Sequence, residues 1–538
     1  MALQNVHGER ALAWGAIEAG VSVVTGYPGS PGTNTFLALE ETAKDYGHYT
    51  EWCVNERVAL DQAAGASQAG KRSLVCLKSV GMNVALDTVM VLNMTGVHAG
   101  LVILMGDDPG AWGSQNEQDT RPISPLCELP MVEISEAGEG REAMRWAFEF
   151  SERHQTIVIL RITRSYSVGI TEMKGLNPPT EKPALEPARE PYRFISALVT
   201  VHKSHTRLHG KLKAIEAEFE KSPLNSVTGS GSLGIIATGM VYTKFLEAAE
   251  GADLSGVQVM KLNTLYPLPS ETIGNFMSSC EQILVLEEVD PYLEDTIKTV
   301  GYDVGAKAKV LGKRTGHVNW EGELFRWHIQ KALQEFLPGF SPSKAYTEEN
   351  WEEEKPFRKS HCAGCPYVHI IKTFRKVAES IGQNPYMAAD PGCVVTAAEF
   401  LDAKLCMGSS IGVASGYQAA GVTERTVAIT GDSAFYHASI NGIVQARATG
   451  SNAIMVVLDN GGALTTGGQA TPDGGLPLTD GKGNKVGIRE IGEVCGCDPI
   501  WEVGPDDSDD QIKATFKEAL ENDTFSMIIV RKPCKHVD

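Results

Sequence analysis

The sequence predicts an α/β protein of three doubly wound, parallel-sheet domains, and two observations carry that expectation. Short β-branched runs alternate with longer helical patterns along the whole chain: SLVCL and LVILM early, LGIIAT and QILVLEE in the middle, TVAIT, AIMVVL and FSMIIVR late. Alternation of this kind builds parallel sheets covered by helices on both faces. Length is the second, since 538 residues exceed a single core at roughly 100–200 residues per domain.

Breaks in the pattern divide the chain. Gly175–Pro191 (GLNPPTEKPALEPAREP) is rich in proline and charge without an apolar period, which reads as an extended linker. Softer boundaries fall at Ser222–Ser232 and from Leu337 to Pro356, the latter through the acidic NWEEEKP. The expected pieces are residues 1–175, a linker and helical segment over 176–222, residues 223–340 and residues 356–538.

A net charge of −19 argues against a sequence-independent grip on nucleic acid or an anionic membrane, which needs clustered Lys and Arg. Thr88–Met105, the most apolar stretch, carries Asn93, Thr95, Gly96, His98 and Gly100, so no membrane span is expected. The first residues lack the basic and apolar regions of a secretory signal, and a cytoplasmic protein is expected. Eleven cysteines in so long a chain are too sparse for a disulfide scaffold, so any cysteine cluster reads as metal-binding or catalytic.

Chemistry concentrates in the last piece. Thr426–Thr430 runs into Gly431-Asp432-Ser433, and roughly 25 residues later Ala453–Leu458 ends in Asp459-Asn460. Parallel strands deliver their C-terminal loops to one edge, where open α/β sheets bind ligands, so Asp432 and Asn460 are expected to converge. Magnesium takes hard oxygen ligands and accepts diphosphate and water in the rest of its shell, which suits one carboxylate, one amide oxygen and a backbone carbonyl near Gly462. Gly431 would let backbone approach a phosphate closely. Either piece alone is no more than a turn or a strand end; the spaced pair is specific and resembles the diphosphate motif of thiamine-dependent enzymes.

The segments GYPGSP (26–31), EWCVNERVA (51–59), GMNVALD (81–87), GDDPG (106–110), SQNEQDTR (114–121), CAGCP (362–366), MGSSIG (407–412) and GDSAFYH (431–437) together resemble the alpha subunit of indolepyruvate:ferredoxin oxidoreductases, and the middle piece resembles that family's transketolase-C-terminal-like domain. The resemblance implies a pyrimidine-binding first domain packed against a diphosphate-binding third domain. It also implies thiamine diphosphate held by Gly431, Asp432, Ser433, Asn460, Gly462, Gly408 and Ser409, with Asp432, Asn460 and Gly462 on magnesium. Glu56 would supply the carboxyl group that hydrogen-bonds the cofactor's pyrimidine ring and makes its amino group basic. Read alone, Glu56 opens the helical stretch ERVALDQAAGASQAG, where a carboxylate also favours the positive end of the dipole. By the same resemblance Ser30, and Arg121 with Asn116, lie near a substrate carboxylate, which a guanidinium can grip with two hydrogen bonds, and His437 faces the cofactor.

Oxidative decarboxylation of a 2-oxoacid releases two electrons before a coenzyme A thioester can form, so redox centres are needed. Cys362, Cys365, Cys393 in DPGC and Cys534 in RKPC match positions that hold a four-iron four-sulfur cluster in related oxidoreductases; structural zinc and free thiols are the alternatives. No run of Cys-x-x-Cys-x-x-Cys-x-x-x-Cys-Pro occurs through Asp538, although the family's ferredoxin-like domain carries two. Electrons would then leave through a smaller beta-type subunit to ferredoxin or another acceptor, within a hetero-oligomer holding two copies of this chain, or the reaction would be a non-oxidative decarboxylation or carboligation. Gly468 stands where the family pattern has a histidine, which puts indolepyruvate specificity in question. A scaffold or nucleotide-binding module would leave Glu56, Asp432 and Asn460 as accidents.

Overall fold

The computed structural model describes residues 3–190, 192–348, 362, 364–479 and 481–534. They fall into two units, one within Met1–Thr50 and Glu56–Arg358, the other within Glu51–Asn55 and Lys359–Asp538. The acidic Asn350–Pro356 expected at a boundary lies outside the described residues. Among the described residues no helix is long and apolar enough to cross a membrane.

In the first unit, Val23–Gly26, Ser73–Lys78, Leu101–Asp107, Val158–Thr163 and Met131–Glu133 lie side by side in that order, every neighbour parallel. Ser73–Lys78, Leu101–Asp107 and Val158–Thr163 are buried at every position. Helices cover both faces of such a sheet, which explains continuous apolar runs in place of alternation. A second sheet has Leu233–Ala237 between Val257–Lys261 and Gln282–Leu286, with Lys309–Leu311 beyond, again parallel.

Two strands depart from the sequence reading. Ser226–Gly229, inside the stretch read as a soft boundary, pairs antiparallel with Val257–Lys261 as an exposed edge; Val227 and Thr228 give it β-branched residues. Thr264–Tyr266, from the middle of the chain, pairs antiparallel with Met131–Glu133 and so extends the first sheet. Residues 175–190 carry no helix or strand, only an isolated bridge at Ala184. The helix Leu198–Phe219 follows and buries Leu208, Ile215 and Phe219.

The second unit has one six-stranded sheet, ordered Ala403–Lys404, Tyr386–Ala389, Thr426–Gly431, Ile454–Asp459, Ser526–Arg531 and Ile500–Val503, with every neighbour parallel. Its side chains alternate between two cores: Val456 and Leu458 face Phe374 and Phe516, while Met455 and Val457 face Phe435 and Ile443. Because the strands run one way, the chain leaves the same edge after Ala389, Gly431, Asp459 and Arg531. That edge receives Asp390, Asp432, Asn460 and the Lys532–Cys534 segment.

Candidate functional site

Asp432 and Asn460 sit at this edge. The Asp432 carboxylate is 3% exposed and accepts hydrogen bonds from the Ser433 amide at 2.7 Å and the Gly462 amide at 2.8 Å. Burial pushes its pKa up to about 7, partly offset by those amides, and no basic side chain among the described residues pairs with it. The Asn460 amide donates to the Cys393 thiol at 3.6 Å, which turns its Oδ1 away, buried and without a partner among the described residues. A buried carboxylate and a buried orphan carbonyl oxygen are what a hard divalent cation would satisfy. Gly431 has φ −84°, so its backbone does not demand glycine, and a Cβ there would meet nothing within 4 Å. The space above it is open to a ligand.

Asp390 frames the opposite side. It is fully buried and accepts from the Ser410 amide at 2.8 Å and the Thr430 hydroxyl at 2.6 Å. It therefore ties the start of the helix Ser409–Ala419 to the end of Thr426–Gly431. Gly408 caps that helix at φ +78°, and a Cβ there would lie 2.5 Å from the Ala438 Cβ, so only glycine fits. The helix that begins at Asp432 widens to π geometry over Phe435–Ser439, a distortion frequent at functional sites. His437 lies buried in that turn, its carbonyl accepting from the Asn55 side chain at 2.9 Å.

The four sequence-nominated cysteines share one neighbourhood. Cys365 and Cys393 pack on the same core, and the Cys365 amide donates to the Cys362 carbonyl at 3.2 Å. The Cys393 thiol is pushed up to about 11, first by burial and then by the nearby Cys365, Cys534, Asp432 and Cys362. Tyr367 supports the arrangement: its ring is buried and its hydroxyl donates to the Lys532 carbonyl at 3.1 Å, joining the CAGCPY and KPC segments.

In the first unit, Glu56 is 6% exposed and opens the helix Glu56–Gln68. Gly81, in the helix Ser79–Thr95, lies against it. Ser30 is exposed in the turn after Val23–Gly26. That turn is held by the Gly29 amide donating to the Thr33 hydroxyl at 2.8 Å, and a Cβ on Gly29 would meet Lys78 Cβ at 2.7 Å.

Residues 380–530 match the family model described as thiamine pyrophosphate enzyme, C-terminal TPP binding domain. Over 98% of its length the chain is 35% identical to the indolepyruvate oxidoreductase subunit IorA of Methanothermobacter thermautotrophicus, covering 86% of that protein. The IorA subunits of Archaeoglobus fulgidus and Pyrococcus abyssi are 33% and 32% identical over the same share of this chain, covering 86% and 85% of theirs. The chain belongs to the indolepyruvate oxidoreductase subunit IorA family. A solved 2-oxoglutarate:ferredoxin oxidoreductase from Magnetococcus marinus aligns over 62% of this chain and 65% of its own at 15% identity and a TM-score of 0.49, a distance at which it adds nothing to the assignment.

Within this IorA-family chain, Arg121 departs from the role the sequence suggested. Only 1% of its side chain is exposed, and it pairs with Asp119 at 2.6 Å and Glu287 at 2.7 Å. It also donates to the carbonyls of Glu288 and Asp290. A guanidinium so fully engaged has no open fork for a substrate carboxylate; it ties the SQNEQDTR segment to the middle sheet. Asn116 is exposed in the same segment. GDDPG is structural as well: Asp107 pairs with Arg161 at 2.8 Å, and Asp108 accepts from the Gly113 amide at 2.8 Å and the Ser114 hydroxyl at 2.7 Å. Sequence reasoning missed Asp390, Tyr367 and Gly81. An aspartate ending a buried strand before Pro-Gly was the available signal for the first; for Tyr367 there was none.

Proposed function

We propose that this chain is the thiamine diphosphate-binding, alpha-type subunit of an oxidoreductase that decarboxylates a 2-oxoacid of the aryl pyruvate kind. With coenzyme A as cosubstrate, the reaction yields an acyl thioester, carbon dioxide, a proton and two electrons. The single observation that carries this is the buried Asp432 carboxylate beside an Asn460 Oδ1 without a partner among the described residues, at the edge of a sheet matched as a thiamine pyrophosphate-binding domain.

Asp432, Asn460 and the Gly462 carbonyl would hold magnesium, and a cation there would restore Asp432 to its charged form. The open space over Gly431, with Ser433 and the helix start at Gly408–Ser409, would receive the diphosphate, since helix N-termini favour anions. Bound thiamine diphosphate supplies a carbon nucleophile and an electron sink for decarboxylation. Glu56, buried and fixed against Gly81, would present its carboxyl to the pyrimidine ring. Ser30 would hydrogen-bond the substrate carboxylate, and His437 would line the cofactor region. Arg121 has no part in this reading.

Cys362, Cys365, Cys393 and Cys534 would ligate one four-iron four-sulfur cluster that takes the electrons. A smaller beta-type subunit and ferredoxin or another acceptor would complete the assembly, with two copies of this chain. Acid-labile iron on anaerobically purified protein tests the reading. The expected result is four irons per chain with viologen reduction driven by an aryl pyruvate and coenzyme A. Iron-free protein that releases carbon dioxide without an acceptor would overturn it in favour of non-oxidative chemistry.

A further inference from the structure

On the surface of the first unit, a carboxylate and two imidazoles meet. His205 and His209 stand one turn apart on the helix Leu198–Phe219, the i, i+4 spacing that puts two side chains on one face. Their Nε2 atoms approach the two oxygens of one carboxylate, that of Glu128, at 2.9 Å and 2.8 Å. One ligand atom from each of the three residues lies within 4.8 Å of the others. The imidazole centroids are 4.3 Å apart.

Two further features point to a ligand. Glu128 occupies a left-handed backbone position, φ +54°, at the end of the helix Ile123–Cys127. Glycine or asparagine is the usual resident there, because a Cβ is strained. What glutamate adds at that position is its carboxylate, and its hydrogen-bond partners among the described residues are these two histidines. The backbone on both sides is also pinned independently. Leu208, between the two histidines, is 2% exposed; Arg207 donates to the Met94 carbonyl at 3.0 Å and Lys211 to the Gln155 carbonyl at 2.6 Å. Opposite, the Cys127 carbonyl accepts from Asn93 at 2.7 Å. The ligand atoms are thus converged before any ion arrives, which removes much of the ordering cost of binding.

We propose that Glu128, His205 and His209 form a binding site for a divalent late-transition ion, such as zinc, nickel or cobalt. Two imidazole nitrogens with one carboxylate is a donor set these ions take readily, and it leaves positions for water. The site is half open, with His205 and His209 side chains 45% and 55% exposed, so an ion can enter and leave from solvent. Its ligands come from the helix Leu198–Phe219 and from the residue that follows the helix Ile123–Cys127. A bound ion would therefore clip the two together and raise the stability of the first unit by mass action.

Calorimetric titration of the purified protein with nickel(II) at neutral pH decides the matter, run beside His209→Gln and Glu128→Gln. All three proteins keep the cysteines, so binding at thiols is common to them. The expected result is one saturable step in the parent protein that is weakened by roughly 10–100-fold or more in both variants, since even an outer-shell partner costs a metal site that much. Thermal unfolding should shift upward with nickel(II) in the parent and not in the variants. Equal stoichiometry and affinity in all three would overturn the proposal and leave the trio as a hydrogen-bonded surface contact.

Discussion

A Cβ on Gly81 would stand 2.4 Å from Glu56 Oε1 and 2.6 Å from its Cγ, so the glycine in GMNVALD exists to let that carboxyl lie flat against the helix Ser79–Thr95. Gly81→Ala is expected to push the Glu56 side chain aside. A displacement near 1 Å costs an aligned reaction about 10²-fold, so kcat should fall by about that factor. Cofactor affinity and the unfolding midpoint should move little. Glu56→Gln should abolish turnover while leaving thiamine diphosphate binding measurable, and wild-type rates in both variants would remove Glu56 from the chemistry.

Asp432→Asn and Asn460→Ala should each raise the magnesium concentration needed for half-saturation with thiamine diphosphate by at least ~10-fold, the smaller end of what a metal site loses with even an outer-shell partner. Without the ion, Asp432→Asn should be neutral or stabilising, because it removes a charge whose burial the Ser433 and Gly462 amides offset only in part. Fluorescence titration of the cofactor at several magnesium concentrations separates the two effects.

Arg121→Ala is expected to act on folding. It would strand Asp119 and Glu287, both buried to 1% side-chain exposure or less, and breaking a buried pair in this way costs about 3–5 kcal/mol. Denaturant unfolding of the first unit should show that loss. A variant of unchanged stability with a raised KM for the 2-oxoacid would return Arg121 to the substrate site.

Glu9 links stability to pH. Burial raises its pKa from the ordinary 4.5 to about 7, against the hydrogen bond donated by Asn34 at 3.0 Å. The folded state therefore holds its proton more tightly than the unfolded chain. Its contribution is fully present below about pH 4.5, declines as pH rises through 7 and is gone above that. Glu9→Gln should flatten that decline and raise stability at pH 8 by roughly 3 kcal/mol, measured from melting curves between pH 5 and 8.

Much of the fold was legible because a parallel strand buried on both faces reads as a nearly continuous apolar run, and TVAIT, AIMVVL and LVILM show this without tertiary information. The Asp432–Asn460 pair was legible for a related reason: parallel strands fix which end of each strand meets the ligand edge, so spacing alone brings the two residues together. Thr264–Tyr266 was not legible as a strand of the first sheet, since three residues carry no period and the partner, Met131–Glu133, is remote in sequence. Arg121 misled for a complementary reason. A guanidinium serves a substrate carboxylate or a buried Asp119 and Glu287 equally well, and only burial distinguishes them.

The sequence by itself determined the α/β class and that Asp432 and Asn460 follow neighbouring parallel strands at one sheet edge, because each depends on local pattern or on strand direction. Only the tertiary structure decided that Asn460 turns its Oδ1 away from Cys393, that Asp390 ties Ser410 to Thr430, that Gly81 makes room for Glu56, and that Glu128 meets His205 and His209. These are distances between residues far apart in the chain. They are set by how sheets and helices pack, which no local period encodes.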